Sequence, residues 1–188
     1  MFSAVLLDRV KTRLGLPSRP SLDLAGLKKI YAAYSGHVPN DNIQKRIWLA
    51  GDKSRPVSGG EPTQFFENWL EHGTGGTCFP ANGALCALLC ALGFDAWRIL
   101  GSVMMEGIEQ DGNHGTVLVR IDDTFYLVDA QLAAFSALPL IAGGLLQPAR
   151  EFTISAPFPA GKISTLCGIP ARTVRHQCSR ASILSADL

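Results

Sequence analysis

Three residues in this chain have the types and setting for nucleophilic chemistry: Cys78, His114 and Asp129. Cys78 follows the glycine-rich lead Gly73-Thr74-Gly75-Gly76-Thr77. After it, Leu85, Leu88, Leu89 and Leu92 recur at helical spacing, the mark of a buried helix face. Pro80 is tolerated only in a first helical turn, and Gly93 stands where a helix usually stops. The pattern therefore predicts Cys78 at or just before a helix N-terminus. Unpaired N–H groups and the helix dipole favour negative charge there, which lowers a thiol pKa and yields the nucleophilic thiolate. The alternative for a free cysteine is a small buried hydrophobe. Cys86 and Cys90, inside the apolar helix, fit that description; Cys78 does not.

A thiol attacking a carbonyl needs a base, and the base needs an orienting group. Imidazole titrates near neutrality and can take a proton and return it. A carboxylate on its second nitrogen fixes the tautomer and steadies the cation. His114 opens a β-branched, apolar run, Thr116 to Ile121, and Asp129 closes another, Phe125 to Val128; Asp122-Asp123 lies between as a turn. This reads as a hairpin. With a two-residue loop, His114 lies opposite Gln131, and Asp129 is its diagonal neighbour on the same face. With a three-residue loop the two fall on opposite faces. The hairpin permits the pair without requiring it. Asp129 as a plain strand-end residue and His114 as a solvated loop residue are the alternatives. His72, shortly before Cys78, is the rival base; His37 and His72 fall in turn or loop sequence, and His176 in a tail without assigned structure. Zinc wants close ligand pairs, and Cys86 with Cys90 finds nothing nearby to complete a set, so no metal is expected.

The elements that must position these groups follow from the rest of the chain. Phe2 to Leu16 reads as an amphipathic helix with Val5, Leu6, Val10 and Leu14 on its apolar side. A second helix opens with Ser21 as its cap and buries Leu24, Leu27, Ile30, Tyr31 and Tyr34. Gly36 to Asn42 is a turn, and residues 51–63 form a glycine- and proline-marked loop. Thr63 caps a helix over Gln64 to Leu70 that supplies Phe65, Phe66 and Trp69 to the core. Beyond Phe94 the period becomes that of strands, beginning with Ala96 to Met104, with a polar loop over Glu106 to Gly112. The expected fold class is α+β: residues 1–94 form a helical domain with the cysteine, and 95–188 a β-rich domain with His114 and Asp129 and a C-terminal tail.

The 188 residues suffice for one domain or two small ones sharing a core. A net charge of +1 gives no electrostatic case for nucleic acid as the main partner. Five cysteines, an odd number without paired spacing, fit a reduced, cytoplasmic setting better than a disulfide framework. Met1 to Leu7 is too short an apolar run for a signal peptide. Ala84–Leu92 falls far short of the roughly 20 residues a membrane span needs, and Leu132 to Leu146 is broken by Ser136, Pro139, Gly143 and Gly144. A soluble protein without a membrane partner is expected.

Gly75-Gly76-Thr77-Cys78-Phe79 with Asn82, followed by Leu92-Gly93-Phe94, resembles the nucleophile segment of the arylamine N-acetyltransferases. His114 before a strand and Tyr126-Leu127-Val128-Asp129 resemble that family's histidine and aspartate segments, in the same order. Val38-Pro39-Asn40-Asp41-Asn42-Ile43 is similar to a family motif after the second helix, with two positions differing. The resemblance covers roughly residues 10 to 141. It implies a helical first domain, a β-barrel-like second domain and the papain-like arrangement shared with transglutaminases. It further implies Cys78 as nucleophile, His114 as base, Asp129 as orienter, and an acetyl-thioester loaded from acetyl-CoA and passed to an arylamine or hydrazine. No permanently bound cofactor is implied.

The chain departs from the family at several places. Thr74 stands where the family has Arg, Thr77 where it has an aromatic residue, and Pro80 where it has Glu, so a loop-supporting salt bridge is missing. Ala130-Gln131-Leu132-Ala133 replaces a Val-Gly-Phe-Gly-like stretch after the aspartate. Family members are longer and end in a lid-like third domain; here Glu151 to Leu188 matches no family segment. The leading expectation is an acetyltransferase acting on a small-molecule amine. The rivals are a transglutaminase-like or peptidase-like enzyme and a catalytically idle, truncated relative. The Cys78 N–H is expected to contribute to an oxyanion hole, and Arg172, Arg175 and Arg180 either meet CoA phosphates or form a solvated surface.

Overall fold

In the computed structural model, residues 2–54, 57, 59–103, 113–131, 136–140 and 152–155 are described. Five helices come first: α1 (Ala4–Arg13), α2 (Leu24–His37), α3 (Ile43–Ala50), α4 (Pro62–His72) and α5 (Cys78–Leu92). Five strands follow: β1 (Asp95–Val103), β2 (His114–Ile121), β3 (Thr124–Val128), β4 (Leu138–Pro139) and β5 (Phe152–Ser155). They form one antiparallel sheet in the order β4-β3-β2-β1-β5. This is the expected α+β, papain-like arrangement. The resemblance implied a barrel; the described strands form the sheet just given.

The helix carrying Cys78 lies between the other helices and the sheet, in contact with α4, β1 and β2. Its leucines account for that position: Leu85, Leu88 and Leu89 are all fully buried. Phe66 of α4 is the aromatic hub of the helical core. The rings of Phe2, Phe65 and Trp69 lie 5.2, 5.6 and 6.0 Å from it, mostly edge-on, as ring quadrupoles prefer. Val117, Val119 and Val128 join this core from the sheet. Ile99, Leu118 and Leu127 form a second cluster with Trp97 and Phe125. Strand β2 sits between two neighbours and is buried from His114 through Val119, hence its apolar, β-branched run.

Several boundaries differ from expectation for identifiable reasons. Asp23, not Ser21, caps α2: its carboxylate accepts the Gly26 N–H at 2.7 Å, and Ser21 Oγ donates to that same carboxylate. Pro62 begins α4 with Glu61 as the cap residue, displacing Thr63; proline suits a first helical position because its missing N–H is not needed there. Val5 is 71% exposed, since α1 buries Leu6 and Val10 instead. Helix α3 was not anticipated. It buries none of its residues: Ile43 and Ile47, though at helical spacing, are 45% and 58% exposed. Strand β1 begins at Asp95, β2 at His114 and β3 at Thr124, each slightly earlier than expected. The segments 106–112 and 151, as well as 156–188, lie outside the described residues.

Register decides where the polar strand ends meet. Ile121 pairs with Thr124, leaving Asp122-Asp123 as a two-residue loop. Asp122 takes φ 52°, the left-handed region that two-residue hairpin turns require and that aspartate tolerates. Continuing this pairing past Val117↔Val128 sets His114 opposite Gln131 and brings Asp129 beside it. Replacing Phe66, the buried hub, with alanine is expected to destabilise the fold by about 3–5 kcal/mol. Urea unfolding of Phe66→Ala checks this, and a loss under about 1 kcal/mol would show that the hub is not integral to the core.

Candidate active site

The nucleophile segment is pressed against the helical core before α5 begins. A Cβ on Gly75 would overlap the Pro39 carbonyl oxygen, and one on Gly76 would fall 2.9 Å from both Phe65 and Pro80. Paired glycines therefore allow the loop to lie this close. The loop backbone and its side chains are then tied down one residue at a time. Gln44 Nε2 donates to Thr74 Oγ1 at 2.9 Å, the Gly75 N–H donates to Asp41 Oδ2 at 2.7 Å, and the Gly76 N–H donates to the Pro39 carbonyl at 3.3 Å. Asp41, Gln44 and Pro39 thus hold the loop by hydrogen bonds.

Cys78 is the first residue of α5, with Thr77 as the cap. Gly115 lets the helix mouth approach β2, since a Cβ there would meet the Phe79 ring at 3.0 Å. His114 is 5% exposed and Asp129 6% exposed, so neither is a solvated loop residue. His114 Nε2–H donates to Asp129 Oδ2 at 2.6 Å. The ring also hydrogen-bonds Cys78. With Nε2 committed to the carboxylate, Nδ1 is the nitrogen left for the sulfur. The structure brings the three residues together.

It also assembles partners that the sequence did not single out for a role. Asn82, one turn after Cys78 on α5, is fully buried. Its Nδ2 donates to the Gly115 carbonyl at 2.6 Å and to Asp129 Oδ1 at 3.3 Å, and its Oδ1 accepts the Ala130 N–H at 2.8 Å. The available signal was a polar residue four positions after the cysteine, on the same face of an apolar helix. The Gln131 N–H donates to Asp129 Oδ1 at 2.8 Å, and the Tyr31 hydroxyl to the Asp129 carbonyl at 2.7 Å. The Tyr31 contact joins α2 to the strand end across 98 residues of sequence, beyond any local pattern.

These contacts set the electrostatics. Burial pushes the Cys78 thiol up, but hydrogen bonds from His114 and the Gly115 N–H, together with the imidazolium charge and the Phe79 N–H, outweigh it and lower the pKa below its ordinary value. Burial pushes His114 down, yet the hydrogen bond to Asp129, the contact with Cys78 and the charges on both raise it from 6.5 to about 9. The two shifts run in the same sense: each group favours the charged form of the other, a thiolate beside an imidazolium, inside a carboxylate-anchored pocket.

The remaining cysteines and histidines stand apart. Cys86 is buried, and Cys90 Sγ donates to the Ala96 carbonyl at 3.4 Å. His37 and His72 are the last residues of α2 and α4, not loop residues. His72 is exposed, with Glu71 at 3.9 Å; the imidazole that meets Cys78 is that of His114. No group of three or more potential metal ligands occurs among the described residues. A cavity of about 350 Å³ runs beside the nucleophile segment, walled in part by Thr77, Phe79, Pro80 and Arg98. Arg172, Arg175, His176 and Arg180 lie outside the described residues.

The model of the N-acetyltransferase family matches residues 23–142, which include Cys78, His114 and Asp129. This chain belongs to that family. An arylamine N-acetyltransferase of Mycolicibacterium smegmatis is 30% identical over 149 residues, covering 74% of this chain and 52% of that protein. A solved M. smegmatis arylamine N-acetyltransferase superposes with a TM-score of 0.63 at 29% identity, over 78% of this chain and 54% of its own. An arylamine N-acetyltransferase of Bacillus cereus, described as having a unique Cys-His-Glu catalytic triad, has the same fold with a TM-score of 0.59 at 19% identity, over 73% and 54%. The chain spans about half the length of the curated relative it matches. No helix among the described residues is long and apolar enough to cross a membrane.

The lowered thiol pKa has a measurable sign. Iodoacetamide alkylation of Cys78 is expected to stay fast well below pH of about 8.5, where an ordinary thiol loses its thiolate. His114→Ala removes the imidazole's hydrogen bond and charge and leaves burial opposed only by the Gly115 and Phe79 N–H groups, so its inflection should move upward from the wild-type value. A wild-type profile with the ordinary thiol inflection contradicts the ion pair.

Proposed function

We propose that this chain carries the acyl-transfer centre of an arylamine N-acetyltransferase-like enzyme, with acetyl-CoA as donor and an arylamine-like small molecule as acceptor. Residues 1–94 supply the nucleophile and the strand region from 95 onward supplies base and orienter. The observation that supports this reading best is the His114 ring held between the Asp129 carboxylate and the Cys78 sulfur.

The chemistry follows from that arrangement. The Cys78 proton passes to His114, and Asp129 steadies the resulting cation. The thiolate attacks the acetyl carbonyl, and a carbon–sulfur bond to Cys78 forms while the bond to the CoA sulfur breaks. The departing CoA sulfur takes the proton back from His114. In the second half the amine nitrogen attacks the thioester, His114 accepts the amine proton, and the Cys78 thiolate is released. Backbone N–H groups in the first turn of α5 have no intrahelical acceptor, and the Cys78 N–H serves as one oxyanion donor. No cofactor need remain bound between turnovers. Five cysteines without paired spacing support a reducing, cytoplasmic setting, and a net charge of +1 gives no electrostatic reason for a nucleic-acid partner.

Incubation with acetyl-CoA is expected to add one acetyl group to the intact protein, seen by mass spectrometry, and Cys78→Ala to abolish it. A folded protein with a reactive Cys78 but no adduct contradicts acetyl transfer. Acylation from an amide or peptide instead identifies the transglutaminase-like or peptidase-like chemistry, and an ordinary, unreactive thiol identifies the idle relative.

A further inference from the structure

Gln131 touches two parts of the site at once. Its backbone N–H donates to Asp129 Oδ1 at 2.8 Å, and its side-chain Nε2 donates to the Gly76 carbonyl at 3.1 Å. Gly76 lies two residues before the nucleophile and outside the hydrogen-bond ladder of α5, which begins at Cys78. The other ties on this loop, from Gln44, Asp41 and Pro39, all come from the helical half of the chain. Gln131 supplies a hydrogen bond that reaches the loop from the strand half. It spans 55 residues of sequence and fixes the loop before Cys78 to the strand end that carries the carboxylate of His114.

We propose that Gln131 is a positioning residue whose side chain sets the distance between the cysteine and the histidine by clamping the Gly76 carbonyl. This deepens the acyl-transfer reading and rests on Cys78, His114 and Asp129 acting together. A cysteine at a helix mouth and a histidine on a strand belong to separate elements, and small shifts between such elements weaken a sulfur–imidazole contact steeply. Gln44 and Asp41 fix the loop to the helices but not to the sheet. Asn82 references α5 to the strand ends, and Gln131 does the same for the loop that leads into it. Its backbone bond to Asp129 survives side-chain substitution, so the clamp can be removed with the carboxylate still held.

The test is the pH profile of Cys78 alkylation by iodoacetamide in Gln131→Ala and Gln131→Asn. Asparagine keeps a polar amide at this half-buried position but is one methylene too short to reach Gly76. Both variants are expected to move the inflection upward by about half to one pH unit, which lowers the alkylation rate by roughly three- to tenfold at a pH well below the inflection. A merely structural role would lower the melting temperature and leave the profile in place. Profiles that match wild type in whichever variant folds overturn the proposal. A wild-type profile that already has the inflection of an ordinary thiol instead overturns the triad reading. Alkylation needs no acyl donor, so failure of acetyl-CoA to acylate the wild type leaves this test decisive on its own.

Discussion

The site depends on one buried carboxylate. Asp129 sits almost out of water, where an unpaired charge is costly unless hydrogen bonds and a counter-charge replace its hydration. His114, Asn82 and the Gln131 N–H supply that replacement. A buried carboxylate satisfied in this way favours a protonated imidazole, and a protonated imidazole favours a thiolate. The nucleophilicity of Cys78 is thus set at a strand end 51 residues away in sequence, as much as by its own helix mouth.

That carboxylate constrains the fold around it. Asp129 meets His114 only in the register that the Asp122-Asp123 turn imposes; a turn longer by one residue would send the two side chains to opposite faces. Asn82 ties α5 to both strands through three hydrogen bonds, so the helix that positions the sulfur is referenced to the residues that activate it. The lead to the cysteine is held without an ion pair among these contacts: Asp41 accepts from the Gly75 backbone, and Gln44 donates to Thr74, one hydrogen bond to a charged group and one between neutral groups. Loop geometry then rests on several modest contacts, each worth about 1 kcal/mol or somewhat more where a charge takes part.

Much of this was legible in the sequence because it is local. Leucine spacing, Pro80 and Gly93 mark α5 and put Cys78 at its start, and alternation with an Asp-Asp turn marks the hairpin. The α+β class follows from the change of period after Phe94. Caps were less legible: Ser21 and Asp23 compete for one helix start, and the shorter reach to Gly26 decides for Asp23. Helix α3 shows where pattern and packing part: Ile43 and Ile47 stand four residues apart, yet the short helix buries neither. The roles of Tyr31, Asn82 and Gln131 were also hidden, since each joins segments far apart in the chain. Sequence pattern fixes which face of an element is apolar, but not which distant carbonyl a polar side chain on it will reach.

The most direct measurement is the titration of the His114 ring by nitrogen NMR on selectively labelled protein. The folded value of about 9 lies above the ordinary 6.5, so the ring should remain an imidazolium through pH 8 and lose its proton as pH rises through about 9. A ring that is neutral by pH 8, with a midpoint near 6.5, would mean that the carboxylate and the sulfur do not hold the proton, and the account of the site would fail.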